Sequence, residues 1–279
     1  MDRTSCAIVI PFHKGDLSNN ELACLNSLLE NYKLEFPIYL LLPNSVLISK
    51  NLNEIIDKSL LKVKYTEANA FSNYYNYNVF LTSKNFYELY LNYEFVLIYQ
   101  LDVLSNKSNN LNFFLNLNFD YIGPIIYHVN PDNSHSVIKV GGNGGISLRK
   151  VQSHYNITKK VFFFNLHEYY KITGYKCTFS SNPFKYFFKK ILSRFIVVFY
   201  FRKIRFKYIQ EDVFWSCLVP NKYKSFSISN NHISAQFGFD MFPKYSYELN
   251  NRKLPLFFHA IEKNNDGFYD STEFKSLST

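Results

Sequence analysis

Between Phe95 and Asp102 the chain reads F-V-L-I-Y-Q-L-D, an unbroken apolar run rich in β-branched and aromatic residues that stops abruptly at polar side chains. That pattern suits a strand buried on both faces, as in a parallel sheet covered on each side. Gln100 and Asp102 then fall at the strand's carboxyl end, where open α/β sheets bind their ligands. A carboxylate in that place can hold a divalent cation against a phosphate, or it can cap a turn. Asp120 to Ile126 (D-Y-I-G-P-I-I) reads as a further short strand. The stretch V-G-G-N-G-G-I-S-L-R follows, with four glycines around Asn143. Glycine there predicts a backbone that a ligand approaches more closely than a Cβ would allow. Together the three pieces read as one polar mouth on a parallel sheet.

The amino-terminal part supports that sheet. Cys6 to Pro11, Pro37 to Leu42 and Leu61 to Tyr65 read as strands. Between them, Ser18-Asn19-Asn20-Glu21 is a capping box followed by leucines at helical spacing, and Leu52 to Ser59 is a second helical segment. Tyr74 to Tyr93 reads as one aromatic helix. Alternating strands and helices predict right-handed crossovers in a parallel sheet. No G-x-G-x-x-G and no G-x-x-x-x-G-K-[ST] follows any strand, so neither a Rossmann dinucleotide site nor a P-loop is supported. Further on, Gln210 to Ser216 opens a helix with Glu211 and Asp212 in its first turn, and Pro220 is expected to end it.

Charge and cysteines narrow the class. The four cysteines, Cys6, Cys24, Cys177 and Cys217, have no metal-site spacing, which predicts reduced thiols. The start of the chain carries no secretory pattern, and no apolar run reaches the roughly 18–20 residues of a membrane span, so a cytoplasmic protein is expected. The net charge of +9 is concentrated between Phe179 and Tyr208, where Lys185, Lys189, Lys190, Arg194, Arg202, Lys203, Arg205 and Lys207 interleave with aromatics and no acid occurs. Each such cation near an anionic leaflet contributes about 1 kcal/mol, so peripheral contact with a membrane surface is one reading. A buried insertion with a solvated basic rim is another. Nucleic acid, which also attracts cations and aromatics, is not expected as a partner.

Taken in order, Gln100-x-Asp102, Asp120-Tyr121-Ile122-Gly123, Asn143-Gly144-Gly145-x-Ser147-Leu148-Arg149 and Glu211-Asp212-Val213-Phe214 resemble one bacterial family of GT-A-type glycosyltransferases, associated with capsule and O-antigen assembly. The likeness runs from Ala7 to Ala260 and does not cover the basic aromatic segment. It implies an α/β fold of GT-A type: a single Rossmann-like, mostly parallel central sheet flanked by helices over 1–262, with a basic aromatic insertion at 179–208 and a tail at 263–279. It also implies transfer of a sugar from a nucleotide-diphosphate donor to a hydroxyl of a glycan or lipid-linked glycan, with inversion and with Mn2+ or Mg2+. By the same resemblance Pro11, Phe12, Tyr77, Asn78, Gln100 and Asp102 face the donor, and Asp102 and His259 hold the metal. Gly142, Asn143, Gly144 and Gly145 meet the sugars. Arg149 is a phosphate or sugar ligand, or a surface charge. Asp212 is the general base and Glu211 orients the acceptor, with the two roles open to exchange.

One departure stands out. Many GT-A enzymes carry Asp-x-Asp where this chain has Gln100-Leu101-Asp102, and an amide brings no charge to a cation. That change admits a second expectation, a glycan- or membrane-binding protein that keeps the fold without the chemistry.

Overall fold

Along β1 (Thr4–Pro11) successive side chains point to opposite faces, and both faces are buried: Cys6, Ile8 and Ile10 enter one core, Ala7 and Val9 the other. The computed structural model describes residues 4–106, 110–129, 135–137, 142–160, 163–165, 169, 191, 197–199, 209–263 and 267–270. Within them α1 (Asn19–Tyr32), β2 (Ile38–Pro43), α2 (Lys50–Ser59) and β3 (Lys62–Thr66) continue the alternation. Ser18 caps α1 as the sequence predicts: its hydroxyl accepts from the Glu21 N–H while the Glu21 carboxylate accepts from the Ser18 N–H.

Two short helices, α3 (Tyr74–Leu81) and α4 (Lys84–Glu88), replace the single helix expected from Tyr74 to Tyr93. The break comes from Ser83, whose hydroxyl caps α4 by accepting the Phe86 N–H. Next come β4 (Tyr93–Tyr99), β5 (Val103–Ser105), α5 (Leu111–Asn116) and β6 (Tyr121–Ile122). The strand expected over Asp120 to Ile126 is therefore only two residues long. Pro124, with no N–H to give a ladder, lies just beyond it. A hairpin of β7 (Tyr127–Val129) and β8 (His135–Val137) leads to β9 (Ile146–Lys150) and α6 (Val151–Thr158).

The central sheet has six strands in the order β3-β2-β1-β4-β9-β6. The first four are parallel, and β9 runs antiparallel to both β4 and β6. It is a mixed, mostly parallel α/β sheet flanked by helices, the class the sequence predicts. Phe95, Leu97 and Tyr99 of β4 join the core under α1, with Leu25, Leu28, Leu29 and Tyr32. Val96 and Ile98 join the opposite core, which holds Phe86, Tyr87 and Trp215.

Beyond β9, β10 (Phe163–Asn165) pairs antiparallel with β11 (Val197–Phe199). The insertion expected at 179–208 lies outside the described residues apart from 191 and 197–199, and the tail expected at 263–279 apart from 263 and 267–270. The chain then enters α7 (Glu211–Val213), widens into a π-helical turn (Phe214–Leu218) and closes in α8 (Val219–Lys222). Pro220 thus sits inside a continuous helical stretch, directly after the π-helical turn, rather than ending the helix. The last elements are α9 (Asn231–Phe237), β12 (Gly238–Phe239), α10 (Pro243–Leu249) and β13 (Phe257–His259). A second, three-stranded sheet of order β12-β13-β5 forms from them.

β5 follows β4 after only a turn, so the chain steps from one sheet to the other at Gln100 to Asp102. That step positions the site. Leu97 fills the middle of β4 and is fully buried. Leu97→Ala is expected to lower stability by about 2–5 kcal/mol, read as a lower urea midpoint with an unchanged slope.

Candidate active site

Asp102 lies in the turn joining the two sheets. In the second sheet β13 runs antiparallel to β5 with His259 opposite Val103, one residue past Asp102. That register brings the His259 Nε2 to 3.3 Å from the Asp102 Oδ1. The Ala260 N–H donates to the Asp102 carbonyl at 2.8 Å, and the Lys263 Nζ lies 3.0 Å from the Asp102 Oδ2. Burial works to raise the Asp102 pKa, but the His259 and Lys263 partners outweigh it and hold the carboxyl well below its usual range.

β12 is parallel to β13, which sets Asp240, the residue after β12, behind the imidazole. The His259 Nδ1 is 3.0 Å from the Asp240 Oδ1. Burial alone would lower the His259 pKa, and the hydrogen bonds to Asp102 and Asp240 instead raise it to about 9. The other Asp240 oxygen accepts from the Asn143 amide at 2.9 Å. The Asn143 Oδ1 accepts from the Gly145 N–H at 2.8 Å, and the Gly144 N–H lies 3.4 Å from the Asp212 Oδ2.

The glycines here answer to space rather than to backbone conformation. A Cβ on Gly144 would collide with the Glu211 carboxylate, and one on Gly145 with the His259 imidazole. The expectation that these glycines leave room for a ligand is corrected accordingly: the protein's own acid and histidine take the room. Gly142 is displaced from its expected role too. It packs on the Gly123 backbone, and its carbonyl accepts from the Tyr121 hydroxyl at 2.8 Å, so it supports the loop from behind.

Arg149 requires a second correction. Its side chain is completely buried, with Nη2 2.9 Å from the Glu211 Oε1, Nε donating to the Ser147 Oγ at 2.9 Å and Nη1 reaching the Tyr87 hydroxyl at 3.3 Å. The guanidinium stacks over the Tyr121 ring, 5.4 Å from its centroid. It is neither a surface charge nor open to a phosphate or sugar, because β9 turns it inward under the loop. Asn78 is likewise committed: its Oδ1 accepts the Glu211 N–H at 2.6 Å and its Nδ2 donates to the Tyr74 carbonyl at 2.7 Å. It anchors the start of α7 instead of facing a donor.

These contacts separate the two acids. Glu211 is only 3% exposed and ion-paired beneath the surface. Asp212 is partly open to the cleft, with its Oδ1 accepting the Val213 N–H at 2.7 Å. Burial is the largest cause raising the Asp212 pKa and the Glu211 charge the next, and together they bring it to about 7 against the hydrogen bonds and Arg149.

Two confluent hollows open over these residues. A larger one of about 710 Å³ is lined by Pro11, Phe12, Tyr74, Tyr77, Gln100 and Asp102, with Lys263 at its rim. A smaller one of about 260 Å³ is lined by Asn143, Gly144, Gly145, Glu211, Asp212 and His259. Tyr74, Tyr77 and Gln100 border both, and the Gln100 amide donates to the Tyr77 hydroxyl at 2.7 Å to form the sill between them. Sequence reasoning did not assign Asp240 or Lys263 to the site. Asp240 ends the stretch S-A-Q-F-G-F-D, which lies inside the span of the family likeness, whereas Lys263 lies beyond that span.

Residues 60–259 match the family described as "Protein of unknown function (DUF5672)", and the chain belongs to that family. No curated protein matches the sequence. Among solved structures, the chain is similar to S. aureus TarS 1-349, with 18% identity and a TM-score of 0.35 over 53% of this chain and 47% of that one. The same protein in complex with UDP-GlcNAc gives 17% identity and a TM-score of 0.34 over 53% and 45%. The mannosyltransferase Ktr4p from S. cerevisiae in complex with GDP gives 14% identity and a TM-score of 0.34 over 46% and 42%. In each case the chain spans less than half of the neighbour's length, and these overlaps assign nothing by themselves.

The Arg149–Glu211 pair makes a direct expectation. Arg149→Met leaves a buried carboxylate without its cation and costs about 3–5 kcal/mol in chemical denaturation. The double variant Arg149→Met/Glu211→Gln loses less than the sum of the two single variants, because neither buried charge remains.

Proposed function

We propose that this protein is a glycosyltransferase that moves a sugar from a nucleotide-diphosphate donor to a hydroxyl of a glycan or lipid-linked glycan. The observation that carries the reading is one cleft with two carboxylates of opposite character. Asp102 stands at the larger hollow, ionised and close to cations, and Asp212 stands at the smaller one with a pKa near 7. The sequence resemblance assigns the donor to the first and the acceptor to the second.

The donor end fits a divalent cation such as Mn2+ or Mg2+. The Asp102 Oδ1 and His259 Nε2 are both buried and face each other at 3.3 Å, with no further hydrogen-bond partner for either among the described residues. Asp240 stands behind His259, the usual arrangement for a metal-bound imidazole. Among the described residues no group of three or more acidic, histidine or cysteine side chains is arranged for a metal. Asp102 and His259 would be its protein ligands. When bound, the ion supplies positive charge where the leaving diphosphate develops negative charge. Lys263 adds an exposed cation beside it.

At the other end Asp212 is the base. Its Oδ2 takes the proton of the acceptor hydroxyl as the oxygen attacks the anomeric carbon from the face opposite the leaving group, which inverts that centre. Glu211 stays on Arg149 and holds α7 in place. The resemblance points to surface polysaccharide assembly. The cations of 179–208 suit the cytoplasmic face of a membrane, and no described helix is long and apolar enough to cross one. The competing reading, a binding protein without catalysis, rests on Gln100, whose amide is spent on Tyr77 rather than on a second metal charge.

A thermal-shift screen of nucleotide-sugars with and without Mn2+ separates the two. An enzyme is stabilised by one nucleotide class and turns it over, whereas stabilisation by glycan alone sinks the transferase reading. Asp212→Asn is expected to slow transfer by about 10²–10⁴-fold with an unchanged melting temperature. Only ionised Asp212 accepts a proton, and its pKa is raised. kcat/KM should thus be flat above pH 7 and fall about tenfold per pH unit below it.

A further inference from the structure

A single line of hydrogen-bonded and ion-paired groups crosses the cleft from one carboxylate to the other. It runs from the Asp102 Oδ1 to the His259 Nε2 at 3.3 Å, and from the His259 Nδ1 to the Asp240 Oδ1 at 3.0 Å. The Asp240 Oδ2 then meets the Asn143 Nδ2 at 2.9 Å, the Asn143 Oδ1 meets the Gly145 N–H at 2.8 Å, and the Gly144 N–H reaches toward the Asp212 Oδ2 at 3.4 Å. Asp240 is the only member with one oxygen committed to each side, and it is 5% exposed.

We propose that Asp240 is a positioning residue that couples the two ends of the cleft, fixing which nitrogen of His259 faces Asp102 and holding the Asn143 loop against Asp212. This deepens the reading above and rests on it where it invokes a cation. A carboxylate can only accept, so the Asp240 Oδ1 keeps a proton on the His259 Nδ1, and Nε2 becomes the ligating atom once a cation has displaced the proton it shares with Asp102. Its Oδ2 accepts from the Asn143 amide, which orients that amide so that its own oxygen meets the Gly145 N–H. The Asn143 loop cannot shift without breaking one of these contacts. A cation seated at His259 is thereby felt at the loop that touches Asp212, although no residue of the loop is a ligand.

Asp240→Asn tests this with little change of volume, because an amide has one acceptor and the position needs two. If its oxygen stays on Asn143, its NH2 faces the His259 Nδ1, moves the proton to Nε2 and removes the ligating lone pair. If the amide flips, two NH2 groups oppose each other at Asn143 and the loop is released.

Full-length wild type and Asp240→Asn would be titrated with Mn2+ alone by electron paramagnetic resonance. Both would then be titrated with diamagnetic Mg2+ while the Gly144 and Gly145 amide resonances are followed. The expected result is Mn2+ binding about 10–100-fold weaker in the variant, at a near-unchanged melting temperature. The expected Mg2+ response of both glycine amides is present in wild type and lost in the variant at saturation. Should Asp240→Asn not fold, Asn143→Ala is expected to bind Mn2+ while its glycine amides no longer respond. Wild-type Mn2+ affinity in Asp240→Asn, or an undiminished glycine response in either variant, overturns the coupling and leaves the transferase reading standing. Absence of Mn2+ and Mg2+ binding by wild type overturns the metal reading and the coupling together.

Discussion

The ion pair between Arg149 and Glu211 holds this structure's two halves in register. One partner stands on the strand β9 of the central sheet, the other opens the helical stretch that carries Asp212, and both are withdrawn from water. Burying two charges is costly, and mutual attraction offsets the cost only when the remaining donors and acceptors are also satisfied. Arg149 meets that condition through Ser147, Tyr87 and the face of Tyr121. Glu211 meets it in part: its N–H is taken by Asn78, while its second oxygen has no hydrogen-bond partner among the described residues. The pair therefore fixes where the neighbouring aspartate points, and the nearby Glu211 carboxylate raises that aspartate's pKa against the opposing pull of Arg149.

A second constraint comes from register between strands. The turn after β4 hands the chain from one sheet to another, and the β5–β13 pairing decides which residue sits beside Asp102. Because side chains alternate along a strand, a slip of one residue would put Phe258 where His259 now stands and turn the imidazole to the other face. Acidic and basic groups that lie far apart in the chain thus meet through backbone hydrogen bonds, before any side-chain attraction acts.

Much of the scaffold was legible in sequence. Continuous apolar strands and helical leucine spacing are local signals, and β1 to β4 with the helices α1 and α2 follow them closely. The six-stranded sheet needed β9 as well, and there the glycines drew attention away from the short I-S-L-R-K alternation that makes a strand. Ser83 interrupted a helix that its aromatic neighbours favoured, and Pro220 was absorbed by a widened turn. Within the site, motif order brought Asp102, Asn143, Asp212 and His259 to one cleft. It misread Arg149, Asn78 and Gly142, because a polar residue inside a motif looks alike whether it faces a ligand or supports the residue that does. Only burial and partner distances distinguish the two. Asp240 and Lys263 depend on long-range pairing of β12 and β13 and on the chain beyond, which local pattern does not carry.

The missing side chain at Gly144 has a bearing on how relatives of this protein can diverge. Its α-carbon abuts the carboxylate that Arg149 holds, so the loop and the helix start are interlocked like a tenon and its socket. Any lineage that enlarges the residue at 144 must at the same time shorten the one at 211, and then find another counter-charge for the arginine. Positions 144, 149 and 211 should covary as a trio, drifting together or not at all, while the other residues lining the cleft are free to evolve around them.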